Sequence, residues 1–230
     1  MNRQELKFDA KEKMRQAAVN PYVVTIIMGV IIVILSVVQV IFNFWGEIIV
    51  SGSNVSGGEL SIYVVSSIAF FVIYLLISTI LQFGYSSYCL KVANRDGSMS
   101  YGDLFSSLRY LLKAIGLTIM ILIFVMLWCL LLVIPGIIAA YRYSQAVFIM
   151  VENPNKGIMQ CIRESKEMMV GHKMEYFILE ISFFFWMLLG SVTCGLACIY
   201  AYPYMTVTFA NYYNRLKPVS VVYEDAETIY

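Results

Sequence analysis

Two ionisable residues stand inside long apolar runs, Arg142 and Glu180. A charge at the centre of a bilayer costs about 2.5–3.5 kcal/mol even on the lenient insertion scale, so each must face protein, water or an opposite charge. Arg142 has Tyr141 and Tyr143 on either side. It can contact an anionic headgroup or substrate, or it can snorkel outward and bond the carbonyls of a neighbouring helix. Successive residues point in three directions on a helix, so at most one tyrosine shares its face. Arg142 follows Pro135-Gly136 by six residues, about 9 Å at 1.5 Å per residue. Glu180 enters from the other end of its run, about a turn and a half deep, so a direct pair between them needs tilt or long side chains. Paired, Glu180 is structural; unpaired, it can hold a proton or serve a proton-coupled transporter. Ligand or lipid contact is expected at Arg142, Tyr141, Tyr143 and Glu180, and a catalytic role at none.

Other chemistry is thin. The one histidine, His172, follows Gly171 at an expected helix end and is read as solvated. One histidine without an acidic pair at ligand spacing argues against a metal site. The five cysteines (Cys89, Cys129, Cys161, Cys194, Cys198) show no CxxC spacing and are read as small apolar residues. No GxSxG, GxxxxGK[ST] or GxGxxG occurs, so neither an enzyme nor a cofactor is expected. A net charge of +1 excludes long-range attraction to nucleic acid. Gln39 and Gln82 are read as hydrogen-bonding groups between helices.

These residues are carried by elements that belong in a membrane. The chain is 60% hydrophobic and 13% charged, against about 45–50% and 25% for soluble domains. Of its 16 Lys and Arg, all but Arg142 lie in segments that share one side if the apolar blocks cross a bilayer. Basic loops resist translocation, so both termini are expected in the cytoplasm and the protein in the cell membrane. Residues 1–20 form an amphipathic helix, with Leu6, Ala10, Met14 and Ala17 on one face, lying on the membrane or against the protein itself. No cleaved signal is expected there. Asn20-Pro21 reads as N-cap and first-turn proline.

The expected fold is all-α and polytopic, with a transmembrane domain over 21–215 and a flexible tail over 216–230. Blocks of about 40 residues must go out and back, since the hydrocarbon core is only ~30 Å thick. Six crossings follow, near 22–44, 62–89, 113–133, 137–153, 175–190 and 195–213. Ile134-Pro135-Gly136 and Gly190 to Gly195 are the expected breaks, and Gly46 to Ser61 the external loop, with a sequon at Asn54-Val55-Ser56. Two amphipathic interfacial helices join the units. One carries Tyr101, Leu104, Phe105 and Leu108 after a Ser100/Asp103 capping box; the other carries Ile158, Cys161 and Ile162, and Gly171 ends it. Tyr85-Ser86, Tyr143-Ser144 and Tyr202-Pro203 recur at near-equal spacing, a weak internal repeat.

The stretch Ile134-Pro135-Gly136-Ile137-Ile138-Ala139-Ala140-Tyr141-Arg142-Tyr143-Ser144-Gln145-Ala146 resembles the hallmark of a bacterial membrane family, domain of unknown function 975. Glu152-Asn153-Pro154, Arg163-Glu164-Ser165-Lys166 and Tyr202-Pro203-Tyr204 continue the likeness over nearly the whole chain. That family is distantly similar to the membrane domain of some glycerophosphoryl diester phosphodiesterases. The resemblance implies the topology and no activity, since the chain has no phosphodiesterase domain. Two function classes remain: a scaffold or accessory protein that binds lipid, anionic lipid among it, or a membrane partner; and a small transporter with a polar centre near Arg142 and Glu180.

Overall fold

A computed structural model describes residues 3–51, 57–193 and 195–217. Among them every regular element is helical. The helices are α1 (Arg3–Gln16), α2 (Pro21–Ser51), α3 (Gly57–Asn94), α4 (Leu111–Leu131), α5 (Val133–Tyr143), α6 (Ala146–Glu152), α7 (Ile158–Met168), α8 (Lys173–Val192) and α9 (Leu196–Leu216), with a 3₁₀ segment at Tyr101–Tyr110. Five helical stretches are long and apolar enough to cross a membrane: Pro21–Ile48, Leu60–Asn94, Tyr101–Leu131, Val133–Glu152 and Lys173–Val192. The protein is therefore an all-α polytopic membrane protein. The sixth crossing, expected over 195–213, is not among the five. α9 carries five tyrosines, Thr206, Thr208, Asn211 and Asn214, and these make it too polar.

α9 is instead an element on which four other helices pack. It contacts α1, α2, α3 and α8 and buries Val207, Thr208, Ala210, Asn211, Tyr212 and Tyr213. Packing is concentrated at the basic end of the molecule. Phe83, Leu117, Tyr143, Phe148, Ile149 and Cys161 form one cluster, and Leu81, Tyr85, Tyr88, Met14 and Val207 another. Towards the opposite ends of α2–α3, α4–α5 and α8–α9 the apolar side chains are exposed, as lipid-facing residues must be.

Local signals explain the ends. The Asn20 side chain accepts from the Tyr22 amide at 2.9 Å, capping α2 as expected. The Ser100/Asp103 capping box forms, with the Ser100 amide donating to Asp103 at 2.9 Å. The helix it starts is 3₁₀, however, and it buries Asp103, Leu104 and Ser107 while Tyr101, Phe105 and Leu108 stay exposed. The expected stripe of α1 is buried at Leu6, Ala10 and Met14, against the protein. Gly171 and Gly195 take positive φ at the turns before α8 and α9.

Three expectations need correction. The long external loop is shorter than 46–61, because α2 continues to Ser51 and α3 starts at Gly57. Gly46 is helical and accepts the Tyr63 ring against its backbone. The corner between α4 and α5 is Leu132, in extended conformation, not Pro135-Gly136. Pro135 sits in the first turn of α5, where its missing donor costs nothing. Finally, the span expected at 137–153 is two helices, broken at Ser144-Gln145. The sequon, Cys194 and the tail from Pro218 lie outside the described residues.

Gly84 is buried where a Cβ would overlap the Leu104 carbonyl, so α3 and the 3₁₀ segment touch backbone to backbone. Gly84→Ala should cost about 1–3 kcal/mol by forcing them apart. Thermal unfolding in detergent checks this, and an unchanged Tm would contradict the contact.

Candidate functional site

The three consecutive residues 141–143 part company, as helical geometry requires. Tyr143 is buried against Phe124, with ring centroids 5.9 Å apart, and is a core residue. Tyr141 packs edge-on to Tyr176 and Phe177 of α8, at 5.9 and 5.8 Å, and its hydroxyl lies beside the Glu180 carboxyl. Arg142 is half-buried, and among the described residues nothing pairs with its guanidinium. Tyr141 and Glu180 thus come together on the α5–α8 seam, whereas Arg142 and Glu180 form no ion pair. Glu180 is exposed. Gln39 and Gln82 bond no neighbouring helix through their side chains among the described residues, contrary to expectation; Gln82 is exposed.

Arg142 contributes a backbone group instead. The Ser165 hydroxyl of α7 donates to the Arg142 carbonyl at 2.9 Å and accepts from the Gln145 amide at 3.2 Å. One buried hydroxyl thereby satisfies both ends left open by the break between α5 and α6. Gln145 is fully buried; its Nε2 donates to Ser144 at 2.9 Å, and its Oε1 has no partner among the described residues. His172 is not merely solvated: its Nδ1 meets Glu175 at 3.0 Å and its carbonyl accepts from the Tyr212 hydroxyl at 3.0 Å.

A cavity of about 850 Å³ lies at the basic end between α3, the 3₁₀ segment, the start of α4 and the end of α6. Ser87, Lys91, Arg109, Leu112, Lys113 and Asn155 line it. Lys91 pairs with Asp103 at 2.8 Å, and Lys113 donates to the Pro154 carbonyl at 2.8 Å. Arg109 is exposed and meets no carboxylate among the described residues. An exposed guanidinium, in one cavity with Leu108, Leu112 and the paired cations Lys91 and Lys113, can take up an anionic headgroup while acyl chains lie on the leucines. Arg109 and Lys113 are not among the residues singled out from the sequence. The usable signal was Arg109 and Lys113, four residues apart, directly after an amphipathic run.

A second basic feature is the row Lys7, Lys11 and Arg15, one turn apart on α1. Lys7 Nζ lies 4.3 Å from the Phe183 ring centre and Lys11 Nζ lies 5.8 Å from that of Tyr204. Burial, then the nearby Arg3, lowers the pKa of Lys7 from its ordinary value. Lys11, Arg15, Tyr22, Tyr200 and Tyr204 surround a smaller cavity of about 200 Å³. The acids of α1 are committed elsewhere, Asp9 to Lys13 at 2.9 Å and Glu12 to Arg95 at 3.6 Å. Among the described residues no three histidines, cysteines or carboxylates are grouped to hold a metal.

The family model described as "Protein of unknown function (DUF975)" matches residues 1–132 and 117–220. No curated protein and no solved structure matches the chain.

Removing the Ser165 hydroxyl leaves the buried Gln145 amide without an acceptor. Ser165→Ala should destabilise by about 1–3 kcal/mol, whereas Arg142→Gln, which keeps the backbone bond, should leave Tm nearly unchanged. Parallel thermal melts of the two variants decide it. A larger loss in Arg142→Gln would mean that the guanidinium holds the hairpins together.

Proposed function

The chain belongs to the DUF975 family, and from there we propose that it is a non-enzymatic scaffold or accessory protein of the cell membrane that holds anionic lipid. Its termini lie in the cytoplasm, because the basic segments that resist translocation all fall at one end of the molecule. The observation that carries the reading is the 850 Å³ cavity at that end, which Arg109, free of any described carboxylate, lines together with Leu108 and Leu112. Arg142, half-buried and unpaired among the described residues, is a second contact for the same lipids. Tyr141 and Glu180 orient that seam, and Tyr143 supports it from the core.

A small transporter is the second reading, favoured by the helix break at Ser144-Gln145, where the buried Gln145 side-chain oxygen has no partner among the described residues. Broken helices serve transporters as ion and substrate sites. That role needs a water path past Arg142 and Glu180 with two alternative openings.

The test is native mass spectrometry from nanodiscs of mixed phosphatidylglycerol and phosphatidylethanolamine. Wild type should retain phosphatidylglycerol selectively. Arg109→Gln should weaken retention about fivefold, since one basic residue near an anionic surface contributes ~1 kcal/mol. Equal retention by both would overturn the cavity as the lipid site.

A further inference from the structure

The three long hairpins do not end at one level. Tyr22, in the first turn of α2, stacks on Tyr200 of α9 with ring centroids 5.8 Å apart. The Thr25 hydroxyl meets the Tyr85 hydroxyl at 2.8 Å, and the Tyr85 ring lies 5.1 Å from that of Tyr202. The start of α2 is therefore level with residues 200–202 of α9. From Tyr200 back to Leu196, where α9 begins, is about 6 Å of helix, whereas α2 runs on from Tyr22 to Ser51 for about 43 Å.

Charge decides where hydrocarbon begins. α1 is fixed to α9 at this level and exposes Arg3, Glu5, Lys11 and Arg15. Lys11 lies over Tyr204, and Arg15 shares a cavity with Tyr22 and Tyr200. Several exposed charges on one helix do not enter a bilayer core, so the boundary passes at or beyond Tyr22. Beyond it, α2 has about 35 Å of helix from Tyr22 to Trp45. That length matches the ~30 Å core, with an aromatic side chain at either end.

The other two hairpins cannot reach as far. Glu180 is exposed and lies about 18 Å of helix before Val192, at the end of α8. Arg142 is half-buried and unpaired among the described residues, and it lies about 15 Å of helix from the Leu132 corner. Both groups belong on the wet side of the boundary, which leaves at most half a bilayer for each tip. The tips are nonetheless apolar and exposed, with Leu131, Leu132 and Val133 on one and Phe185 and Val192 on the other.

We infer that only α2–α3 crosses the bilayer, and that α4–α5 and α8–α9 are re-entrant wedges ending inside the leaflet at the basic end. Four helices then occupy that leaflet in addition to the two that cross. The extra cross-section on one side favours membranes convex on that side, so the surface this protein recognises is a curved lipid leaflet. The inference stands apart from the lipid cavity, since it rests on helix lengths and charge.

Cysteines introduced one at a time at Ser51, Val133 and Val192, all exposed positions, test it in sealed vesicles of both orientations, each read as labelling above that of the wild-type chain with its five native cysteines. A membrane-impermeant maleimide should modify Ser51→Cys from one face only. It should modify Val133→Cys and Val192→Cys from neither face, and all three in detergent, which shows that each thiol is reactive. Labelling of Val133→Cys or Val192→Cys from the face that labels Ser51→Cys would overturn the wedge, as would a Ser51→Cys that labels from neither. In tubes pulled from vesicles with the basic end outward, the protein should be enriched over the flat parent membrane. Equal density would overturn the curvature preference alone. Loss of phosphatidylglycerol retention bears on neither result.

Discussion

The architecture depends on a polar helix that cannot enter lipid and cannot leave the protein. α1 carries charge along most of its length, yet Leu6 is buried among Met169, Tyr176, Leu179 and Tyr212, and Ala10 and Met14 are buried beside Tyr85, Tyr88 and Val207. Lys13 adds a bond to Asn211 at 3.0 Å. Burying a large apolar side chain stabilises by about 1.5–3 kcal/mol, so Leu6 and Met14 outweigh the exposed ion pairs of α1, each worth ~1 kcal/mol or less. Wherever α9 sits in depth, α1 goes too. Its charges then fix the level at which the molecule meets hydrocarbon.

The distribution of packing follows. At the basic end water is available, the hydrophobic effect operates, and the helices bury tyrosines, a glutamine and an asparagine with most polar atoms satisfied. At the opposite ends lipid is as apolar as the side chains, so close packing against small residues and between stacked rings holds the helices together. The two short hairpins use the same device in mirror order. Gly136 of α5 receives Cys129 of α4, and Gly190 of α8 receives Cys198 of α9. Any larger side chain at either glycine would spread the tip.

Signals that act within a few residues were legible in the sequence: the Leu6–Ala10–Met14 stripe, the Asn20 cap, the Ser100/Asp103 box, and the all-helical membrane class. What needed distant partners was not. The break at Ser144-Gln145 has no proline or glycine; it persists because Ser165, on another helix, serves both of its open ends. Leu132 turns the chain because Pro135 prefers the first turn of a helix to its corner. Depth was the hardest quantity to read. Hydropathy says what a segment tolerates, and the level of α9 is set by Tyr22, Tyr85 and the charges of α1, none of them near it in sequence. Among the proposed site residues, Tyr141 and Glu180 meet because they lie on facing helices, while Arg142 turns away from both.

Each hairpin carries one tryptophan, Trp45, Trp128 and Trp186, so depth can be measured on a nearly native chain. The decisive measurement is fluorescence quenching of single-tryptophan variants in vesicles with brominated lipid confined to one leaflet. The account predicts that Trp45 is quenched from the leaflet away from the basic end, and Trp128 and Trp186 only from the leaflet at the basic end. Quenching of all three from the same leaflet would mean that the hairpins end at one level, and would contradict it.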